Sequence, residues 1–477
     1  MSTGARRILA NTAYRLLADV GSKLASIAFY VVMARELGAE GFGVFTFGLA
    51  FVILTTTLGN FGQDSVLTRE VARDRTLLDH YFVNTLAIKT VLSTFSLGLA
   101  FLIAAVVGVS PETRTVLLLL GPAVVLEILM KTCFAAFQAY ERMEFIPIAL
   151  VTQRTLTAIA GITALLAGAG VVAVSAIYLA GAALGFALAL RLLLSRVARP
   201  ALKIETGRWW PLMKAAAAIG TASVFAVVLF RADMTMLAAF EPADVVGHYG
   251  AAYRLLEATL FVSWSVGSAV YPVFSRLSPT SEPAVGFVFE RSLKLVVALT
   301  LPVAAGALVL AGPVVRLVYG DEYSEATNAL GLLAPAIALY PVSYVAASLI
   351  VSQHRQRAMM IVYGVVALEN ILANFVLIPW LSLDGAALGT SISQLLVTVA
   401  LIVFAQRAAG GLQWPRVAAG PILATLAATA GMVLLRDELA AAVAAGAVLY
   451  LAVLFVFERL LFPDDAQAVL DLLPRRA

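Results

Sequence analysis

Four cations, Lys23, Lys89, Lys131 and Arg154, stand roughly 10–15 Å from the same end of four different apolar stretches, counting about 1.5 Å per helical residue. Ionisable groups at such depth in a membrane segment are costly, and by default they are functional candidates. Cations from separate helices at a common depth could converge on one layer. The chemistry of such a layer is anion binding, because an Arg fork and a Lys point charge both suit phosphate. An unpaired phosphate in hydrocarbon is prohibitive, so an anionic group leaving the headgroup plane needs a clamp of this kind. Arg15 is a fifth cation, close enough to the interface to snorkel. The competing reading is internal pairing. Asp19 lies four residues from both Arg15 and Lys23, and Glu127 four from Lys131, so each set shares a helix face. Lys89 and Arg154 have no same-helix partner. Later in the chain Arg254 is followed one turn on by Glu257, and Glu369 is a further intramembrane acid. Arg254 is expected either to receive the anion on the far side or simply to pair with Glu257.

The elements that must carry these residues follow from composition. Hydrophobic residues make up 61% of 477 positions and charged residues 13%, whereas a soluble domain is about half apolar and a quarter charged. No soluble core of this length hides so much apolar surface, so the solvent is lipid. A spanning helix needs about 20 apolar residues. Candidates fall at about 13–33, 41–63, 82–107, 114–139, 145–169, 171–194, 212–234, 245–272, 291–317, 326–351, 359–379, 385–406, 416–435 and 439–458. Charge, Gly or Pro marks the breaks, as in Gly320-Asp321-Glu322. The first stretch is read as a retained helix, since no small-residue cleavage site follows it. With the N-terminus placed in the cytoplasm, roughly 22 of the 33 Lys and Arg residues lie inside and 5 outside (Arg35, Arg114, Arg231, Arg316 and Arg436). By the positive-inside rule both termini are then cytoplasmic. The formal charge of +4 is too small to suggest nucleic acid. Cys133 is the single cysteine, and His80, His248 and His354 make no metal-spaced pair, so no metal site is assigned.

An internal repeat organises the spans. Ala39-Glu40-Gly41-Phe42-Gly43-Val44-Phe45 matches Ala243-Asp244-Val245-Val246-Gly247-His248-Tyr249 at a shift of 204 residues. Six spans per repeat is an even number, so both halves enter from one side and the repeat is parallel. The predicted organisation is a first six-helix lobe over 1–194, a cytoplasmic linker over 195–211 with Trp209-Trp210 as interfacial anchor, and a second lobe over 212–406. A helix pair over 416–458 and a cytoplasmic tail over 459–477 complete it. Gly181-Ala-Ala-Leu-Gly185 and Gly385-Ala-Ala-Leu-Gly389 also match at 204 but fall at different depths, and are read as coincidence in an Ala-rich chain. The expected fold is an all-α membrane protein of about 14 transmembrane helices, with two parallel lobes around a central cavity.

Several pieces, in order and at the right spans, resemble the polysaccharide-transport (O-antigen, lipid-linked oligosaccharide flippase) family of the multidrug/oligosaccharidyl-lipid/polysaccharide exporter superfamily. They are Ala34-Arg35-Glu36-Leu37-Gly38 with Gly43 and Phe45; Asp233 followed by Val246-Gly247-His248-Tyr249; Pro272-Val273-Phe274-Ser275-Arg276; and Asn370-x-x-x-Asn374-x-x-x-Ile378-Pro379 leading into Asp384-Gly385-Ala386-Ala387 and Thr390. The resemblance covers the first 406 residues. It implies alternating-access export of a polyprenyl-pyrophosphate-linked oligosaccharide across the inner (cytoplasmic) membrane for cell-surface polysaccharide, by a monomer working beside polysaccharide assembly enzymes. It also implies that a sodium site known in some lipid II flippases of the superfamily would fall here on Asp233, Asn370, Asn374, the Ala386 carbonyl and Thr390. Oxygen ligands suit a hard cation, but Asn374 stands where that pattern has an acid. Helix-to-helix hydrogen bonding is the plainer use of the Asn and Thr residues, and a proton on Asp233 or Glu369 would couple equally.

Rival functions remain open at this point. A lipid II flippase fits the extra helix pair. A cation-coupled drug exporter would prefer an acidic cavity, whereas the first lobe is net basic. A membrane glycosyltransferase or polymerase needs a large outer loop or an acidic metal motif, and the first outer loop is only about 34–40. No cofactor is expected beyond Na+ or H+ as coupling ion.

Overall fold

The computed structural model describes residues 3–277 and 282–461, with side chains from Gly21 onward except at 22, 264, 268, 282, 408 and 461. Arg15, Asp19 and the tail arginines Arg475 and Arg476 lie outside the described side chains. The described chain is helical throughout: α1 (Thr3–Thr56), α2 (Gln63–Arg73), α3 (Leu78–Val107), α4 (Pro111–Ala139), α5 (Phe145–Leu166), α6 (Val171–Arg196), α7 (Trp209–Phe240), α8 (Ala243–Arg276), α9 (Glu282–Val309), α10 (Ala311–Tyr319), α11 (Ala326–Ser352), α12 (Gln356–Ala409), α13 (Gly420–Leu434) and α14 (Leu439–Leu461).

Two helices are too long to cross once. A straight helix of the 54 residues in α1 or α12 would run about 80 Å, against a hydrocarbon core of about 30 Å. Each folds back on itself. In α1 the turn is Gly38, at φ 66° and ψ 179°, a region open to glycine because it lacks Cβ. Tyr30 and Phe45, fifteen positions apart, consequently bring their ring centroids to 6.3 Å. In α12 the turn is Ser382 at φ 54° and ψ −131°, a strained conformation for a residue with Cβ. Asn370 there reaches Ser393 across the bend. Among the described residues twelve helical segments are long and apolar enough to span. Counting the two hairpins as pairs gives fourteen crossings, in the places the apolar runs predict. The outward side chains are those of a lipid-facing surface, with Phe95, Val106 and Leu451 among many exposed large apolar groups. The chain is a multi-pass membrane protein.

By packing, the described chain separates into two compact units, Met1–Gly250 and Ala251–Ala477, and the division falls within α8. In the first unit α4 packs on α6, α1 on α5, α4 and α7, and α2 on α4 and α7. Small residues let these helices approach closely: Gly181 and Gly185 of α6 lie against Thr157 and Gln153 of α5. In the second unit α11 packs between α9 and α12, and the α13–α14 pair lies on α9. Leu310, Ala424, Ala428, Met432, Ala442 and Tyr450 form that last contact. Ion pairs Lys294–Glu458 and Arg416–Glu290 (3.6 Å) and the Tyr450 hydroxyl donating to the Ala298 carbonyl (2.6 Å) fasten it.

The repeat motifs meet inside the first unit. A Cβ on Gly43 would strike the Ala243 carbonyl, and one on Gly247 would strike the Ala39 carbonyl. With the shift of 204 these are one contact made twice, 39 to 247 and 243 to 43. Thr46 and Gly250, themselves equivalent, also touch. A local two-fold relation therefore runs between the starts of the two equivalent spans. The backbones approach closely enough for the Cα–H···O contacts that recur at tight helix crossings.

The linker is not a loose tether. Asn84 of α3 is buried and spends most of its amide on it: Oδ1 accepts from the Glu205 N–H (2.8 Å) and the Trp209 indole (3.1 Å), while Nδ2 donates to the Lys203 carbonyl (3.2 Å) and, within α3, to the His80 carbonyl (2.7 Å). Asp79 accepts from the Ala201 N–H at 3.0 Å. Glu205 pairs with Lys203 (3.0 Å) and Arg208, and His80 Nδ1 lies 3.2 Å away. The Lys203 hydrogen bond, followed by the charges of Arg208, Lys203 and His80, holds the Glu205 carboxyl below the usual carboxylate range. Asn84→Leu keeps the branched shape without the polar atoms and strands three of these groups, at about 1–3 kcal/mol each if they stay buried. Limited proteolysis should then cut within 199–208 about ten times faster, with spanning regions unaffected.

Candidate functional site

The first unit carries the predicted cations in three settings. Lys89, on α3, is 0% exposed, and its ammonium donates to Asp64 Oδ2 at 2.6 Å and to the Ile128 carbonyl at 3.3 Å. Asp64 opens α2 just past the turn at Gly62 (φ 79°), and its other oxygen accepts from Thr132 of α4 at 3.1 Å. Lys131, also on α4, is exposed and close enough to Lys89 for the two ammonium groups to repel. Arg154, on α5, is half-buried with its charge near the Tyr178 hydroxyl. Lys23 is half-buried on α1, and its sequence partner Asp19 is outside the described side chains.

The same-face pairing of Glu127 with Lys131 does not form. Glu127 turns the other way, accepting from Gln153 Nε2 of α5 and the Tyr178 hydroxyl of α6, both at 3.1 Å. Among the described residues no carboxylate pairs with Lys131 or Arg154. Tyr178 stacks edge-on with Phe45 at 5.9 Å, so a polar cluster and an aromatic one share the interior of this unit. The arrangement can hold an anion: two cations on neighbouring helices keep their charge uncompensated, and nearby carboxylates are committed to other donors.

The second unit places Arg254 beside Glu257 at 2.5 Å, an i,i+3 pair on α8 with 15% and 19% side-chain exposure. Glu369, Asn370 and Asn374 come together on the first arm of α12. Asn374 Nδ2 donates to Asn370 Oδ1 (3.1 Å), Asn370 Nδ2 to Ser393 Oγ (3.0 Å), and the Ser393 hydroxyl to Glu369 Oε2 (2.9 Å). The donors thus run in one direction and end on a carboxylate. Thr390 donates to the Ala386 carbonyl at 3.0 Å. Asn374 Oδ1 is buried without a hydrogen-bond partner beside Gly389, an open oxygen of the sort a cation or a proton donor could engage. Asp233 belongs to the first unit, is 1% exposed, and accepts from the Tyr249 hydroxyl and the Met234 N–H (2.7 Å). Asp64, Thr132, Gln153, Tyr178, Ser393 and Asn84 are the functional neighbours that sequence spacing does not reveal, because each bridges helices rather than turns of one helix.

Comparison with known proteins fits these features. The family model described as "Polysaccharide biosynthesis protein" matches residues 8–278, and the model "Lipid II flippase MurJ" matches residues 246–458. A curated relative, the "Probable low-salt glycan biosynthesis flippase Agl15" of Haloferax volcanii, is 28% identical over 170 residues, 35% of this chain and 36% of that protein. The match therefore spans about a third of the relative's length. In fold, the chain is similar to a lipid II flippase MurJ solved in an inward closed conformation (TM-score 0.78, 14% identity, covering 93% of this chain and 98% of that one). It is also similar to a multidrug resistance MATE family transporter of the MOP superfamily (TM-score 0.66, 15% identity, 82% and 94%). A MOP superfamily transporter from Pyrococcus furiosus gives TM-score 0.62 at 15% identity, covering 84% and 95%. At these identities the likeness concerns the fold. The family match extends over more than half the chain, and this protein belongs to the polysaccharide biosynthesis protein family, the polysaccharide-transport branch of the multidrug/oligosaccharidyl-lipid/polysaccharide exporter superfamily.

Proposed function

We propose that this chain is a flippase that carries a polyprenyl-pyrophosphate-linked oligosaccharide from the cytoplasmic to the outer leaflet by alternating access, as a step in cell-surface polysaccharide biosynthesis. The observation that carries the reading is the pair Lys131 on α4 and Arg154 on α5, neither paired with a carboxylate among the described residues, while Glu127 is taken by Gln153 and Tyr178. Lys23 adds charge from α1, and Lys89, held by Asp64, backs Lys131. Such a layer replaces water around a diphosphate and would repel a cationic drug. Arg254 is the proposed receiver in the second unit, releasing Glu257 as it binds. The protein is a transporter rather than an enzyme, placed in the inner membrane with both termini cytoplasmic and acting as a monomer beside assembly enzymes. The coupling ion is Na+ or H+. Within the second unit Asn370, Asn374, the Ala386 carbonyl and Thr390 supply oxygens that suit a hard monovalent ion, with Glu369 as the acid, and Asp233 of the first unit is a separate candidate proton carrier.

A lipid II cargo is the second reading, favoured by the MurJ model match over residues 246–458; the α13–α14 pair fits either cargo. Both cargoes share the diphosphate. The test uses proteoliposomes loaded with a labelled polyprenyl-pyrophosphate oligosaccharide or with lipid II. Lys131→Ala combined with Arg154→Ala should lower flipping of the preferred cargo at least tenfold at unchanged thermal stability. Full transport by that double variant would remove the cationic layer from the mechanism. Faster flipping of lipid II would assign the cargo to the second reading.

A further inference from the structure

The linker end of α6 carries a feature that translocation does not use. Ala187, Leu190, Arg191, Leu194, Ser195 and Arg199 line an open groove of about 580 Å³. Its floor is apolar and its rim cationic. Arg199 Nε donates to the Leu194 carbonyl at 3.2 Å, which folds the side chain back over the groove and leaves its terminal nitrogens uncommitted. The Ser195 hydroxyl is turned to the Arg191 carbonyl at 2.6 Å. Arg191, Arg196 and Arg199 are all exposed, and among the described residues none has a carboxylate partner. Immediately beyond, the linker fixed by Asn84 and Asp79 presents Leu202 (94% exposed) and Ile204 to the exterior, with Trp210 following. Apolar side chains held outward on a fixed backbone at the end of a membrane span lie at headgroup depth, where amphipathic segments rest.

We propose that this groove binds an anionic phospholipid, its phosphate held by Arg191 and Arg199 and its first acyl carbons lying on Ala187, Leu190 and Leu194. The occupant follows from charge complementarity. A zwitterionic headgroup brings its own cation to a rim that already holds two, Arg191 and Arg199, with Arg196 exposed nearby in sequence, whereas a net-negative headgroup neutralises it. Basic pockets at the ends of membrane helices recognise anionic lipid in this way. A bound headgroup would also hold the end of α6 and the linker at a fixed depth. This site is independent of the cargo proposed above.

Native mass spectrometry of the full-length protein titrated with phosphatidylglycerol or phosphatidylcholine tests it. The expected result is preferential retention of phosphatidylglycerol, lowered about tenfold or more by Arg191→Gln with Arg199→Gln and restored by Arg191→Lys with Arg199→Lys. Leu190→Trp, which fills the groove while keeping both charges, should lower it as well and serves if the arginine variants express poorly. Equal retention of the two lipids, or retention that none of these variants changes, would overturn the proposal. So would displacement of phosphatidylglycerol by an equimolar short polyprenyl phosphate, which would give the groove to the cargo instead.

Discussion

Gly43→Leu should reduce flipping at least tenfold, and Gly247→Leu should do the same, because the two positions are halves of one contact. At Gly43 an added side chain meets the Ala243 carbonyl, and at Gly247 the Ala39 carbonyl. Backbone has no rotamer to retreat into, so the starts of the two equivalent spans must separate. Overpacking of this kind costs about 1–3 kcal/mol or more, which biases a two-state equilibrium by roughly 5- to 150-fold. If transport alternates between two states, and the end bearing these motifs faces outward as the charge bias predicts, the contact joins the starts of these two spans at their outer ends. Both variants then favour its opening. A cysteine introduced at Thr46 reports this directly, since Cys133 is the chain's single native cysteine and is buried. Its labelling by a membrane-impermeant maleimide should quicken in both variants. Gly98→Leu is the control, because nothing lies within 4 Å of a Cβ there. Unchanged flipping and labelling in Gly43→Leu would mean that the crossing is passive packing.

That contact also lies beyond what residue spacing can imply. The match of Ala39–Phe45 with Ala243–Tyr249 is visible as a shift of 204, and it implies a repeat. Nothing in the spacing says that the equivalent glycines face each other across a two-fold relation, because that depends on how folded helices meet. The same boundary separates the pairings that were legible from those that were not. Arg254 with Glu257 is readable, since i,i+3 neighbours share a helix face whatever the tertiary structure. Glu127 is four residues from Lys131 and equally readable, yet Gln153 and Tyr178 from two other helices take it. Tertiary partners in a low-dielectric interior outweigh an exposed i,i+4 pair worth a few tenths of a kcal/mol. The spans themselves were legible because each is fixed by apolar length alone. Their hairpin turns at Gly38 and Ser382 fall in breaks marked by Gly, Pro and Asp. The coupling constellation was legible as residue types, but the chain of donors running through Ser393 to Glu369 was not. Serine at that position carries no signal until the arms of α12 are folded together.

Asp64→Asn should lower the thermal stability of the protein more than any other single change among these polar groups. Removing one partner of a buried pair costs about 3–5 kcal/mol, because the remaining charge loses its compensation while staying out of water. The remaining charge here is Lys89, 0% exposed, with Lys131 close enough to add repulsion. Lys89→Met is expected to be milder, since Asp64 is 22% exposed and keeps Thr132 and some access to solvent. The double variant Asp64→Asn with Lys89→Met should recover much of the loss, as replacement of both ions by groups of similar volume is often near neutral. Thermal unfolding in detergent measures all three, and the flipping assay run beside it separates two roles for Lys89. If its ammonium serves chiefly to fix the start of α2 against α3 and α4, the double variant transports in proportion to its recovered stability. If the charge contributes to holding a diphosphate, the double variant is stable and transport remains depressed. Lys89→Met with unaltered stability and unaltered transport would contradict both, and would show that the pair with Asp64 carries no weight in the folded protein.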